Sequence, residues 1–129
     1  HPGEMCRLTG LPAAEIAAHR QDIALQYARA WNAVVVLKGM HTVVAAPDGR
    51  CRINPTGNPG LARGGSGDVL AGITAALLGC HLPAFEAAVC AVWLHGAAAD
   101  RAAAKRGEYG MLPQDLLPEL GALFAEHHR

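Results

Sequence analysis

Apolar positions fall into blocks along the chain, and the spacing inside each block predicts its element. Residues 2–9 predict a short helical turn that Gly10 closes. Thr9 to Pro12 reads as a helix start with Glu15 in the first turn, and the helical stretch continues over 12–31. Ile16, Ile23, Leu25, Tyr27 and Trp31 are spread through it among polar residues, with a break near Arg20. Ala33-Val34-Val35-Val36-Leu37 is a continuous apolar run, the pattern of a strand covered on both faces at the centre of a parallel sheet. Thr42–Ala46 and Arg50–Ile53 predict a hairpin with Pro47-Asp48-Gly49 as its turn. Residues 54–67 are rich in Gly, Pro and Asn and predict a loop. From Asp68 a helix is predicted, because Val69, Leu70, Ile73, Leu77 and Leu78 recur at three- and four-residue spacing up to Gly79. A second helix, apolar on most faces and deeply packed, is expected over about Pro83–Ala104, and a last one over about 113–126 with Pro113 in its first turn. Trp31 and Trp93 are expected to be core aromatics. Strands, then a glycine loop, then helices indicate an α/β layer architecture.

Composition changes this picture little. The 129 residues fit one domain or a piece of one. Lys plus Arg equals Asp plus Glu at 11 each, so charge gives no reason to expect nucleic acid or an anionic membrane as partner. No apolar stretch reaches the roughly 18 residues of a membrane span, and no signal peptide is recognised. Cys6, Cys51, Cys80 and Cys90 lack the spacing of a metal site or disulfide framework, so reduced thiols, a cytoplasmic location and no metal-ligand cluster are expected. The chain opens at His1 in what reads as mid-domain text. We therefore expect residues 1–129 to be the C-terminal portion of a larger domain, with an N-terminal portion missing or carried by another chain.

The segment with the most chemistry runs from Asn54 to Leu70. Gly64, Gly65 and Gly67 let the backbone turn sharply and approach a ligand. The loop feeds a helix whose first-turn N–H groups and dipole suit a phosphate. Gly65, Ser66 and Gly67 are thus expected to present an anion hole. Asp68 has an ordinary reading as a helix cap or dipole partner. It also has a catalytic one, because a carboxylate beside a phosphate repels it unless it activates an attacking hydroxyl. No Lys-Ser/Thr pair ends the loop, which excludes a P-loop, and the glycines do not follow a strand as in a Rossmann fingerprint.

Asn54–Leu78 closely resembles the signature of ADP/ATP-dependent NAD(P)H-hydrate dehydratases. The Gly65-Ser66-Gly67-Asp68 core is similar to the anion hole and catalytic Asp of ribokinase-like enzymes, and Asn54-Pro55-Thr56-Gly57-Asn58-Pro59-Gly60 points to the dehydratase branch. His1-Pro2-Gly3-Glu4, Val36–Val43, Glu86-Ala87-Ala88 and Leu94-His95-Gly96 also fit. The resemblance implies part of a ribokinase-like three-layer α/β/α domain, with a mostly parallel central sheet and an edge hairpin. It implies dehydration of hydrated NADH or NADPH, driven by phosphoryl transfer from ADP or ATP with Mg2+, in a protein that forms homo-oligomers. By the same resemblance, Lys38, Gly39, Met40, His41 and Thr42 line the nucleotide site and Gly67 touches the nucleotide. His1 and Asp68 contact the substrate. Met40 and Arg63 stand where the family pattern suggests small residues.

Other readings stay open on the residues alone. Lys38 also suits a solvated strand end, Thr42 an ordinary strand residue, and His41 a surface residue of which only the backbone matters. His95 suits a core or near-site histidine, and Asn58 either a substrate contact or ordinary turn chemistry. A ribokinase-like small-molecule kinase acting on a hydroxymethylpyrimidine or thiazole alcohol would use the same anion hole and Asp. A nucleotide-binding module without catalysis is the third alternative.

Overall fold

The computed structural model describes residues 2–62 and 65–127. It divides into two compact units, residues 1–54 and 55–129.

The first unit runs α1 (Pro2–Thr9), α2 (Ala13–Ala18), α3 (Arg20–Trp31), β1 (Val35–Leu37), β2 (Val43–Ala45) and β3 (Cys51–Ile53). The expected break divides α2 from α3 at His19, whose φ of −134° and ψ of 42° leave the helical region. Asn32 ends α3 in the left-handed conformation, φ 49°, which asparagine tolerates better than most residues. The strands form an antiparallel sheet in the order β1-β2-β3, with Val35 opposite Ala45 and Val43 opposite both Leu37 and Ile53. Alternation sends Val35, Leu37, Val43 and Ala45 into one core with Met5, Ile16, Ile23, Ala24 and Ala28. The Pro47-Asp48-Gly49 turn forms as predicted. Gly49, at φ 97°, donates to the Ala46 carbonyl at 3.1 Å, and Asp48 accepts the Arg50 N–H at 3.1 Å. That N–H, and after it the Arg50 guanidinium, holds the Asp48 carboxyl below its ordinary value.

Among the described strands every pairing is antiparallel, in the order β1-β2-β3, and the strand buried along its whole length is β2. One expectation changes here. Trp31 is not a core residue but 43% exposed, with its ring 4.9 Å from that of Tyr27.

The second unit runs from a 3-10 turn at Pro59–Ala62 to α4 (Ser66–Gly79), α5 (Ala84–Arg106), a 3-10 turn at Pro113–Asp115 and α6 (Leu116–His127). Helix α5 packs against both α4 and α6. Its buried positions are mostly small: Ala87, Ala88, Ala91, Ala98, Ala99 and Ala102 lie with Val92, His95 and Gly96. Trp93, 38% exposed, is on its outer side rather than in the core. Leu70 and Ile73 of α4, and Leu116, Leu120 and Leu123 of α6, supply the bulk that the alanines lack. Helix α4 starts at Ser66, two residues before the predicted start, so Asp68 is its third residue rather than its boundary. Among the described residues no helix is long and apolar enough to cross a membrane. All four cysteines are free, and burial raises the Cys51 thiol.

Lys105 of α5 reaches Glu119 of α6 at 2.5 Å, and the Glu119 side chain is only 6% exposed. Lys105→Ala is expected to lower stability by about 1–3 kcal/mol, because it leaves a buried carboxylate without its cation. Adding Glu119→Gln should recover part of the loss. Denaturant unfolding of the wild type, both single variants and the pair checks this, and a single variant as stable as the wild type would show the ion pair to be idle.

Candidate active site

The candidate residues fall into two groups, one in each unit. His1 lies outside the described residues, as do Arg63 and Gly64.

In the first unit, Lys38 to Thr42 form the loop between β1 and β2. Arg20, the first residue of α3, donates to the carbonyls of Leu37 at 2.9 Å, Met40 at 2.7 Å and His41 at 3.2 Å. A planar guanidinium is suited to bridging several acceptors at once. Partial burial lowers it from its ordinary value. A Cβ on Gly39 would come within 2.9 Å of Arg20 Nη2, so the glycine makes room for the clamp. The Thr42 hydroxyl closes the loop, donating to the Gly39 carbonyl at 3.2 Å with the Gly39 N–H 3.3 Å away. This favours a structural part for Thr42. His41, at φ 57°, contributes its carbonyl to the clamp while its side chain is exposed. Lys38 is half-buried, and Met40 is 74% exposed at the tip.

In the second unit, Gly65 to Asp68 form the entry to α4. Gly65 precedes the helix at φ 95°, a conformation that side chains disfavour, and its carbonyl accepts the first recorded helical bond, from Val69 N–H at 3.3 Å. Helical geometry leaves the N–H groups of the first turn without intrahelical partners. The Ser66 side chain turns inward, its hydroxyl donating to the Leu61 carbonyl at 2.5 Å. The Ser66 hydroxyl proton is thus engaged inside the protein. The Asp68 side chain is exposed and, among the described residues, makes no hydrogen bond or ion pair. The ordinary reading as a side-chain cap is not realised, because the capping position is Gly65.

The loop leading into this turn is fastened to α5. Thr56 Oγ1 donates to the Trp93 carbonyl at 3.0 Å. Asp100 accepts the Gly57 N–H and Asn58 Nδ2, each at 3.0 Å. Asn58 Oδ1 accepts the Gly60 N–H at 2.9 Å. Each end of the Asn58 amide thus makes one bond inside the protein, in keeping with turn chemistry. His95 is buried in α5, in keeping with a core histidine. Residue-type reasoning overlooked Arg20 and Asp100. For Asp100 a signal was present: Trp93, Gly96 and Asp100 lie at i, i+3 and i+7, on one face of a helix. For Arg20 no local signal exists, since its acceptors lie 17 to 21 positions away.

A family model described as NAD(P)H-hydrate dehydratase matches residues 1–121. The chain belongs to this family. A bifunctional NAD(P)H-hydrate repair enzyme Nnr of Moorella thermoacetica is 56% identical over 117 residues, 91% of this chain and 22% of the relative. The crystal structure of the ADP/ATP-dependent NAD(P)H-hydrate dehydratase from Bacillus subtilis, co-crystallized with ATP/Mg2+, matches with a TM-score of 0.93 at 40% identity, over 98% of this chain and 46% of that one. A ribokinase-like superfamily protein from Enterococcus faecalis matches with a TM-score of 0.85 at 31% identity, over 98% of this chain and 42% of that one. The fold is thus part of a ribokinase-like α/β domain. The chain spans less than half the length of each of these three proteins.

A Cβ added to Gly96 would lie 2.7 Å from the Thr56 carbonyl carbon and 2.8 Å from the Gly57 nitrogen, both backbone atoms. Helix propensity alone favours alanine over glycine by about 1 kcal/mol. Gly96→Ala is nevertheless expected to destabilise the dehydratase-family fold by about 1–3 kcal/mol, since the loop must move off the helix. Thermal melting reads the sign directly, and a raised melting temperature would refute the close approach.

Proposed function

We propose that this chain supplies the phosphate-gripping turn and the catalytic carboxylate of an ADP- or ATP-dependent dehydratase that repairs hydrated NADH and NADPH. The observation that carries this reading is the state of Asp68: exposed in the first turn of α4, bound to nothing among the described residues, beside backbone donors behind a positive-φ glycine. Membership of the dehydratase family supports it.

In this mechanism the N–H groups of Gly65, Ser66 and Gly67 hold the transferred phosphoryl group, and Gly67 also meets the nucleotide. Losing one donor of this kind typically costs about 3–4 kcal/mol of transition-state stabilisation. Asp68 takes the proton of the hydroxyl on the hydrated nicotinamide ring. The freed oxygen attacks the terminal phosphorus, and AMP or ADP leaves. The phosphate ester then loses phosphate together with a proton from the neighbouring ring carbon, restoring the double bond of NAD(P)H. Phosphorylation thereby replaces hydroxide by a better leaving group. The loop Lys38–Thr42, its backbone held by Arg20, would contribute nucleotide contacts, with Lys38 adding positive charge. His1 would sit on the substrate side.

Among the described residues no group of three or more His, Cys, Asp or Glu could hold a metal ion. The residues present do not fit a dedicated magnesium cage, and the steps above use none; Mg2+ would be bound by the nucleotide's own phosphates. Four free thiols suit a cytoplasmic setting.

The complete gene product, given hydrated NADH with ADP or ATP, should restore absorbance at the reduced-nicotinamide band. Turnover of a pyrimidine or thiazole alcohol without NADH recovery would assign a kinase instead. Asp68→Asn should nearly abolish turnover while sparing nucleotide binding; full activity in that variant would remove Asp68 from the role of base. Arg20→Lys keeps the charge but cannot span three carbonyls. It should raise the KM for nucleotide by about fivefold or more with a smaller change in kcat, and an unchanged KM would separate the loop from the nucleotide.

A further inference from the structure

The face of α5 that carries Trp93, Gly96 and Asp100 fastens the loop by polar bonds spanning 37 to 43 positions of sequence. These bonds form a continuous chain. Asp100 holds Gly57 and Asn58, and Asn58 holds the Gly60 N–H at the 3-10 turn Pro59–Ala62. Leu61 of that turn accepts the Ser66 hydroxyl, and Ser66 opens α4 two residues before Asp68. Gly60 has no room for a side chain, since a Cβ there would lie 2.8 Å from the Glu108 carbonyl oxygen.

We propose that Asp100 is a positioning residue: through Asn58 and the 3-10 turn it sets where the first turn of α4 points its N–H groups and Asp68. The inference rests on the dehydratase reading above. The polarity of the contact supplies its logic. Each carboxylate oxygen of Asp100 accepts one bond, from Gly57 N–H and from Asn58 Nδ2, and the remaining end of Asn58 accepts from Gly60. An amide in place of the Asp100 carboxylate would face Asn58 donor to donor, and turning the Asn58 amide over would forfeit the Gly60 bond. Asn58→Asp alone would set two carboxylates against each other. The exchange Asn58→Asp with Asp100→Asn restores all three bonds. The amide introduced on α5 accepts from Gly57 and donates to the carboxylate introduced in the loop, and that carboxylate accepts from Gly60. Such a reciprocal pair isolates the coupling from the separate effects of each substitution.

The test uses the complete gene product, assayed with hydrated NADH and ADP or ATP, with kcat expressed per folded molecule. Misplacing a catalytic group slightly costs large factors, so each single variant should lose about tenfold or more in kcat, with the KM for nucleotide held within about threefold. The exchanged pair should recover most of the loss. Single variants with wild-type kcat and only a lower melting temperature would reduce Asp100 to a structural role and overturn the proposal. So would an exchanged pair no better than the poorer single variant. If the single variants do not fold, the exchanged pair decides: folded and active supports the proposal, folded and inactive or unfolded overturns it. Should the wild type fail to turn over hydrated NADH, the dehydratase reading falls by itself. Hydrogen exchange at the Gly57 and Gly60 amides then tests the fastening alone: slow in wild type and exchanged pair but fast in the single variants supports it, and equal rates in all four overturn it.

Discussion

Where the loop Thr56-Gly57 crosses α5, peptide backbone lies directly on peptide backbone at Gly96, with no space for even a methyl group. The polar groups flanking the crossing are bonded to the helix although they are not fully buried. Thr56 finds the Trp93 carbonyl, and Gly57 and Asn58 find Asp100. One missing side chain on α5 thus brings the loop down, and residues one turn to either side hold it there. Leu61 and Ser66 continue the same line of bonding into the entry of α4.

The helix that accepts this loop is itself built from small residues. Its alanines at 87, 88, 91, 98, 99 and 102 are buried. Small side chains let α4 and α6 approach α5 closely, and the leucines and isoleucine of the outer two helices fill the space between. A helix with so little side-chain volume gains little burial energy per residue of its own. Its stability depends on being enclosed, and charged pairs along its second half add to the contact. Lys105 with Glu119, Arg106 with Asp115 and Arg101 with Glu126 join it to α6 and to the turn before it.

The parts of this structure legible from sequence were those encoded by near neighbours. Pro47-Asp48-Gly49 carries its own turn geometry, Gly10 and the region of Arg20 mark real boundaries, and the spacing from Val69 to Leu78 is a helix whatever surrounds it. The glycine loop marked the entry to a helix, and Gly65 there takes the positive φ that glycine adopts readily. What was not legible depended on packing. A Val-Val-Val run states that a strand is buried, not which strand lies beside it, so the pairing of β1 with β2 was not visible although only a short loop joins them. The indoles of Trp31 and Trp93 are large enough to predict burial on average, yet each lies on an outer surface of its helix. The part of Arg20 is not legible locally, because only folding brings three carbonyls to it.

Arg20 and Asp100 solve one problem with opposite charges. Neither loop satisfies the backbone groups concerned through secondary structure of its own, and glycine leaves such segments many conformations to lose. Each loop is therefore held from outside, by a side chain rooted in a helix. A cation gathers the outward carbonyls of Leu37, Met40 and His41, and an anion gathers the N–H of Gly57 and the amide of Asn58. The sign of the holding charge follows from which backbone groups are surplus. At the entry to α4 the surplus groups are N–H donors, and there the fold places no holding anion within the described residues. Asp68 is close enough in sequence to have capped them and does not. Donors left open beside an unengaged carboxylate would be a defect in a structural helix start. They make physical sense where a phosphate takes the donors and a hydroxyl proton takes the carboxylate.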